Sequence, residues 1–426
     1  MEGLDTNKQD RGKHRLWGST KTSLKWLLMT AGVVALVGLL YISLIFVRLI
    51  YSGSQARTYA VALGDLDGDG DLDAFYANGK SEVPQPNTFL INQGGVQDGR
   101  PAEFQDSGQR LGDDLSRNVT LTDLDDDGDL EALVAGKPRI SLFINDGEGK
   151  FTGRTLDRSF TGKWTITPGD LDGDGDLDIL AGGCCGPFEP YNAVWVNQSG
   201  AQGGVAGVFR DSGQYMEGLG AEGAALGDLD GDGDLDAFFG NNVIFVSTEE
   251  QTHVVQPNTV GLNDGSAMLV DSGQRLGKAQ TKNVALGDLD GDGDLDAYSA
   301  NYGPDEVWMN AGGEQGGQPG VFEDSGQRLG EAFSRRVYLA DLDGDGDLDA
   351  AVTIQVSGLG IGTHLKIRLN DGQGSFPDLS QWIKHTNAQA YALGDLDSDG
   401  DLDVLAGWYP DGYTIWWNQG DGSFKR

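Results

Sequence analysis

Five carboxylates at alternate positions, Asp65, Asp67, Asp69, Asp71 and Asp73, are punctuated by Gly68 and Gly70 and framed by Leu66 and Leu72. Charges this close repel one another unless a cation sits among them. Calcium suits the pattern, because it takes about six to eight oxygen ligands and tolerates irregular geometry. As in an EF-hand, positions 1, 3 and 5 offer carboxylates, position 7 its backbone carbonyl, and the glycine at position 6 allows the sharp turn. Position 9 closes the loop with a further carboxylate. No bidentate Glu follows at position 12, so the loop is shorter than an EF-hand. Magnesium, which wants a strict octahedral and water-rich shell, fits less well.

The nonapeptide returns six times. The second copy supplies Asp123, Asp125, Asp127, Asp129 and Glu131, and the third Asp170, Asp172, Asp174, Asp176 and Asp178. The fourth runs Asp228, Asp230, Asp232, Asp234 and Asp236, and the fifth Asp288, Asp290, Asp292, Asp294 and Asp296. The sixth has Asp341, Asp343, Asp345, Asp347 and Asp349, and the last Asp395, Asp397, Asp399, Asp401 and Asp403. Five copies read DLDGDGDLD; the second has Asp126 at position 4 and Glu131 at position 9, and the last has Ser398 at position 4. The expected complement is about seven Ca2+ ions, one per loop.

Such loops need rigid flanks. The residues before them alternate or run apolar (Tyr59–Leu63, Asn118–Leu121, Arg336–Leu339), and short apolar runs follow (Ala74–Ala77, Ile179–Ala181, Val404–Ala406), so each loop reads as the turn of a β-hairpin. A third strand follows, ending at Asn92, Asn145, Asn197, Asn263, Asn310, Asn370 or Asn418, and then a fourth, usually carrying a Phe: Phe104, Phe151, Phe209, Phe322, Phe376 or Phe424. Four repeats continue as Asp-Ser-Gly-Gln from Asp106, Asp211, Asp271 and Asp324, each 17 positions before the next loop. Constant register implies one rigid unit repeated. Four-stranded units repeated seven times predict an all-β fold, a seven-bladed β-propeller, rather than an elongated calcium-loop array with closely spaced loops. Trp195, Trp308 and Trp416 on the third strands are expected to pack between blades.

These loops, the Asn-Asp-Gly or Asn-Gln-Gly turn and the Gly-x-Phe strand resemble the FG-GAP/VCBS repeats of the integrin alpha-subunit propeller and of bacterial surface proteins. The resemblance spans 56–426. It implies a seven-bladed propeller with calcium in the first hairpin of each blade, held by loop positions 1, 3, 5 and 9 and the carbonyl at 7. Glu131 departs from the pattern but is long enough to ligate. The family fixes no single function: some members adhere, some bind glycans and some accompany catalytic modules.

Ahead of the repeats, residues 1–25 form a polar tail with a basic excess, and Trp26 to Val47 is an uncharged run long enough for a membrane-spanning helix. The basic flank places the tail in the cytoplasm. The run is longer than the apolar part of a secretory signal and ends without a small-residue cleavage site, which favours a retained signal-anchor. The expected organisation is a cytoplasmic tail (1–25), a transmembrane helix (26–47), a short linker (48–55) and an extracytoplasmic propeller (56–426). The protein is thus read as single-pass and type II in the cell membrane.

The net charge of −36 argues against nucleic acid as a partner. Cys184 and Cys185, the only cysteines, are adjacent and form no disulfide framework, whether reduced or joined as a vicinal pair. No nucleophile elbow, zinc pair or phosphate loop appears, and the carboxylates are committed to metal, so no enzyme is expected. The favoured function is a binding or adhesion module for a protein or glycan; the alternatives are a polysaccharide lyase-like enzyme and an accessory structural component. In a four-stranded meander the calcium turns share one face, while the more varied second-to-third loops share the other. Ligand is expected on that varied face, where loops 79–87, 182–192, 240–258, 301–306, 355–365 and 407–412 lie. Arg57, Arg117, Lys163, Lys282, Arg335 and Arg336 precede the inner strands and are expected to ring the channel mouth there, favouring an anionic ligand. Asn118-Val-Thr and Asn197-Gln-Ser have the form of glycan acceptors, and Ser52–Arg57 is a candidate to pair with the last strand and close the ring.

Overall fold

The strand that enters each acidic loop ends on the residue just before position 1, and the strand that leaves it opens on position 9. The entering strands are Arg57–Gly64, Leu115–Thr122, Thr165–Gly169, Ala221–Gly227, Thr281–Gly287, Phe333–Ala340 and Ala390–Gly394. The leaving strands are Asp73–Gly79, Glu131–Lys137, Asp178–Gly182, Asp236–Asn241, Asp296–Asn301, Asp349–Gln355 and Asp403–Trp408. The two are antiparallel and in register across the loop, with Gly64 opposite Asp73 and Gly287 opposite Asp296. Each of the seven loops is therefore a hairpin turn. In this computed structural model the described residues are 57–426, apart from 80–84, 95–101, 138, 157–164, 184–190, 199–206, 218–219, 248–251, 313–316, 331–332, 356–361, 378–380 and 386–387. The tail, the apolar run 26–47, the linker, Lys163, Cys184 and Cys185 lie outside them. Among the described residues no helix is long and apolar enough to cross a membrane.

A third and a fourth strand complete each hairpin, giving seven four-stranded antiparallel sheets. The molecule is all-β, a seven-bladed propeller. One insertion was not expected: within 240–258, Val243–Ser247 and Thr252–Val255 form a two-stranded hairpin between the second and third strands of blade 4. Its β-branched and aromatic residues favour extended backbone. In blade 6 the fourth strand is Gln381–Ile383 and in blade 2 it is Thr152–Thr155, so Phe376 and Phe151 precede these strands instead of lying in them.

The cores fill the seams between blades. One apolar cluster joins Phe75 and Phe89 of blade 1 to Val134 and Phe143 of blade 2, and others join each later pair in the same way. The seventh packs Val61, Tyr76 and Leu90 of blade 1 against Ala392, Leu405 and Ile415 of blade 7, so the circle closes. Thr58 N donates to Gln389 Oε1 (2.8 Å) and Phe104 N to Tyr413 Oη (3.2 Å) across the same seam. Arg57 belongs to the innermost strand of blade 1, and the last strand, Phe424–Lys425, pairs with Gly412–Asn418. Closure among the described residues therefore comes from side-chain packing, not from Arg57 adding to the last strand. Trp195 and Trp308 are buried in seam cores and Trp416 is packed against one, as expected.

Candidate functional site

Position-2 leucines anchor the acidic loops. Leu66, Leu124, Leu171, Leu229, Leu289, Leu342 and Leu396 are all buried. Burying one such side chain stabilises by roughly 1.5–3 kcal/mol, so the apolar seam fixes the base of each loop. Above it the backbone turns through left-handed residues: Gly68 at position 4 has φ +77° and Gly70 at position 6 has φ +92°. The departures Asp126 (φ 61°) and Ser398 (φ 64°) adopt the same region at position 4, and Asp tolerates it better than most residues. No copy replaces the glycine at position 6.

Each carboxylate then has its own set of donors. Position 1 caps the turn: Asp65 Oδ1 accepts from Gly68 N (2.8 Å) and Oδ2 from Gly70 N (2.9 Å). At position 5, Asp69 Oδ1 accepts from Asp71 N (3.0 Å). Position 9 is the most deeply placed. Asp73 is fully buried; its Oδ2 accepts from Leu66 N (2.9 Å) and its Oδ1 from Asn92 N on the third strand (2.7 Å). All seven loops repeat this position-9 pattern. Glu131 keeps both donors, Leu124 N at 2.8 Å and Asn145 N at a longer 3.4 Å.

Position 3 varies: Asp230 Oδ1 accepts from Asp232 N and Asp397 Oδ1 from Asp399 N, both at 3.3 Å. Asp67 Oδ1, Asp125 Oδ1 and Asp343 Oδ1 are buried and accept no hydrogen bond. Burial, and then the neighbouring Asp69, raises the Asp67 carboxyl above its ordinary range. Position 9 is raised further, by burial first, to about 7 for Asp73, Glu131, Asp178 and Asp296 and to about 6 for Asp236, Asp349 and Asp403. A buried, unbonded carboxylate oxygen among like charges is the environment that a hard cation relieves. Oxygens of Asp65, Asp67 and Asp73 lie within 4.8 Å of one another, as do those of Asp170, Asp172 and Asp178. Groups Asp123–Asp125–Asp127, Asp228–Asp230–Asp232 and Asp288–Asp290–Asp292 bring positions 1, 3 and 5 equally close. The donors present therefore fit a divalent, oxygen-seeking metal.

The position-7 side chains take no part in these groups. They lean on the turn between the third and fourth strands: a Cβ at Gly265 would meet Asp234 Oδ2 at 2.8 Å, and one at Gly420 would meet Asp401 Oδ2 at 2.8 Å. Glycine is required in those turns for this approach, which also places them on the same face as the acidic loops.

Two belts of amides tie the loops to one another. The third-strand Asn that donates its backbone N–H to position 9 sends its side-chain amide into the preceding blade. Asn145 Nδ2 reaches Leu66 O (2.9 Å), Asn263 Leu171 O (2.8 Å), Asn310 Leu229 O (2.9 Å), Asn370 Leu289 O (2.7 Å) and Asn418 Leu342 O (2.9 Å). Each accepting carbonyl belongs to position 2 of the neighbouring loop. Farther out, the Asp-Ser-Gly-Gln glutamines clamp the next blade's outer edge. Gln274 Nε2 donates to Gly320 O (2.6 Å), and its Oε1 accepts from Phe322 N (2.9 Å); Gln327 does the same with Gly374 and Phe376. In three of the four motifs the Asp pairs with an arginine four residues on: Asp106 with Arg110, Asp271 with Arg275 and Asp324 with Arg328, each at 2.7 Å. The Asn that ends each third strand and the fixed offset of the Asp-Ser-Gly-Gln motif from the next loop were visible in the sequence; their inter-blade partners were not. Asn197 is a belt member, buried and bonded to Leu124 O, so that triplet is closed to glycosylation in the folded ring.

At the other end of the inner strands, one strand length or roughly 23 Å from the loops, lies a cavity of about 440 Å³. Inner-strand residues of all seven blades line it, among them Arg57, Arg117, Thr165, Glu222, Lys282, Arg335, Arg336 and Tyr391. Five of the six cations expected at the channel mouth are therefore brought together, and the sixth, Lys163, is outside the described residues. Of the varied-face loops, Tyr302, Gln355, Gly362 and Thr363 reach this cavity. Asn118 also lines it, in the channel wall.

Residues 123–181 and 245–352 match the family described as FG-GAP-like repeat. No curated protein matches the chain. Among solved structures it is similar to an Agrocybe aegerita lectin described as specifically recognising non-reducing terminal N-acetylglucosamine (17% identity, 86% of this chain and 92% of that one, TM-score 0.49). It is also similar to the V. cholerae biofilm matrix protein Bap1 (13% identity, 86% of this chain and 89% of that one, TM-score 0.40). With its blades closed on one another and the acidic hairpin repeated in each, the chain is a seven-bladed β-propeller that contains FG-GAP-like repeats.

Proposed function

We propose that the chain is a membrane-anchored, extracytoplasmic binding module, a calcium-stabilised propeller that holds a protein or glycan on the face opposite its acidic loops. The observation that carries this reading is the contrast between the two faces. The loop face repeats one arrangement seven times, and its polar groups are engaged in building the loops and joining them. The opposite face opens into a cavity of about 440 Å³ to which every blade contributes different residues, within the size range of small-ligand sites.

Calcium would be held by the side chains at positions 1, 3, 5 and 9 and the carbonyl at 7, and would supply the charge that lets the carboxylates stay ionised together. Acting through the Asn belt, it would stiffen the scaffold on which the varied loops sit. Binding is favoured over turnover because, among the described residues, the cavity wall carries a single carboxylate, Glu222, and Lys282 holds it at 2.7 Å. The anchor would be the apolar run 26–47, with the tail in the cytoplasm.

The test is capture of partners and glycans by the full chain in detergent, with calcium and after chelation, beside a metal analysis. The expected result is retention of a ligand, unchanged in covalent structure, that is lost on chelation. Shortened polysaccharide products would favour the enzyme reading instead. Metal-free protein that keeps full affinity would overturn the calcium half, and protease digestion of the propeller from the cytoplasmic side would overturn the topology.

A further inference from the structure

The channel mouth carries a charge opposite to that of the chain around it. The protein has a net charge of −36, yet the described wall sets Arg57, Arg117, Lys282, Arg335 and Arg336 against one carboxylate, Glu222. Lys282 already engages that carboxylate. The four arginines line the one cavity from blades 1, 2 and 6. Neutral groups orient three of them: Arg335 Nη2 donates to Gln355 Oε1 (2.9 Å), Arg336 Nη2 reaches over to Arg117 O in blade 2 (3.2 Å), and Arg117 lies on the Tyr59 ring (4.1 Å to its centroid). A neutral oxygen aims the Arg335 and Arg336 guanidiniums without cancelling their charge, and each such bond uses one of five N–H donors. Arg335 itself stays solvent-exposed at the mouth, near the charges of Arg57, Arg117 and Glu222. Like charges gathered in an enclosed mouth are costly unless an anion enters.

The remaining wall indicates what kind of anion. The partly exposed amides of Gln280 and Gln389 flank the cations, groups that match a ligand rich in hydroxyls, while Thr58, Ser334, Thr353 and Thr363 are buried in the wall behind them. Tyr302 is half exposed and stacks on Phe333 with centroids 3.9 Å apart and planes 25° apart, giving a flat apolar platform in the same wall. A planar carboxylate matches the guanidinium fork better than a point charge does.

We propose that the channel mouth is a subsite for an acidic sugar, its carboxylate gripped among Arg57, Arg117, Arg335 and Arg336 and its ring set against Tyr302. This rests on the binding-module reading and names the chemistry of the ligand.

The test is calorimetric titration of the full calcium-loaded chain with glucuronate, glucose, inorganic sulfate and an oligoglutamate peptide. Glucuronate is expected to bind at least roughly tenfold more tightly than glucose, and to weaken as salt rises. Arg117→Gln with Arg335→Gln should weaken it about 10- to 100-fold, the range for loss of charge-assisted hydrogen bonds. Tyr302→Ala, on an exposed ring, should weaken glucuronate and leave sulfate unchanged, which keeps the test valid if the arginine variant fails to fold. Equal binding of glucuronate and glucose, absence of glucuronate binding, or sulfate as tight as glucuronate would overturn the proposal. So would oligoglutamate binding more tightly than the sugar. Partner capture that survives Arg117→Gln with Arg335→Gln removes this inference alone; a partner held on the loop face removes the binding-face reading beneath it.

Discussion

Removing metal should reverse the pH dependence of stability. In the metal-free ring, the seven position-9 carboxyls are raised from ordinary values of 3.8, or 4.5 for Glu131, to about 6 or 7, with burial as the first cause. A carboxyl whose folded value lies above its unfolded one binds more protons when folded. Its contribution to stability is present in full below the unfolded value and is lost as pH rises through about 6–7. A shift of two to three units corresponds to roughly 3 kcal/mol per group before solvent relaxation. Even discounted threefold, the seven together are comparable with the roughly 5–15 kcal/mol net stability typical of a folded domain. Chelated protein should therefore melt higher near about pH 5 than near about pH 8, and lose its β-sheet signal at the alkaline end. Calcium-loaded protein should show the opposite slope, because protons compete with the ion for the same oxygens. The assay is thermal unfolding by circular dichroism across that pH range, with calcium and with EDTA. Parallel slopes in the two conditions, or a metal-free protein unaffected by pH, would refute the placement of these carboxyls and their role toward metal.

Three further outcomes are expected. Asn310→Ala keeps the backbone N–H to Asp296 but strands the buried Leu229 carbonyl; it should cost about 1–3 kcal/mol, read as a lower melting temperature that calcium does not fully restore. Gly293→Ala forces a side chain onto a residue at φ +95°; strain of about 1–3 kcal/mol should weaken calcium binding in that one loop, read as a change of one site in a calcium titration. Asp305→Ala leaves the buried Arg368 guanidinium without its carboxylate at 3.7 Å and removes the acceptor of Asn301 N and Tyr298 Oη. It should be the most damaging of the three, by about 3–5 kcal/mol, in a chemical-denaturation midpoint.

The repeating acidic loop was legible in the residues because its constraints are local. Carboxylates at alternate positions, a glycine where φ must be positive and a leucine facing inward specify a hairpin turn wherever they stand, and seven copies with four strands each specify the number of blades. What the residues did not reveal were the contacts made only when blade meets blade. Asn310 reads as an ordinary strand-end residue until Leu229 is brought against it from 81 positions away. Gln274 reads as part of a surface motif until the next blade's edge arrives. The Asp305–Arg368 pair joins blades 5 and 6 and has no sequence signature at all.

Closure was likewise decided by the assembled ring. Tyr76, Ile415 and their neighbours in the first and last blades form a seam like the other six, so no borrowed strand appears among the described residues. The cations at the channel mouth are scattered over 279 positions from Arg57 to Arg336, and only the circular arrangement of inner strands brings their charges into one cavity. Turn chemistry depends on neighbours in the chain and can be read there. Packing and long-range charge depend on neighbours in space, and those exist only once the circle has closed.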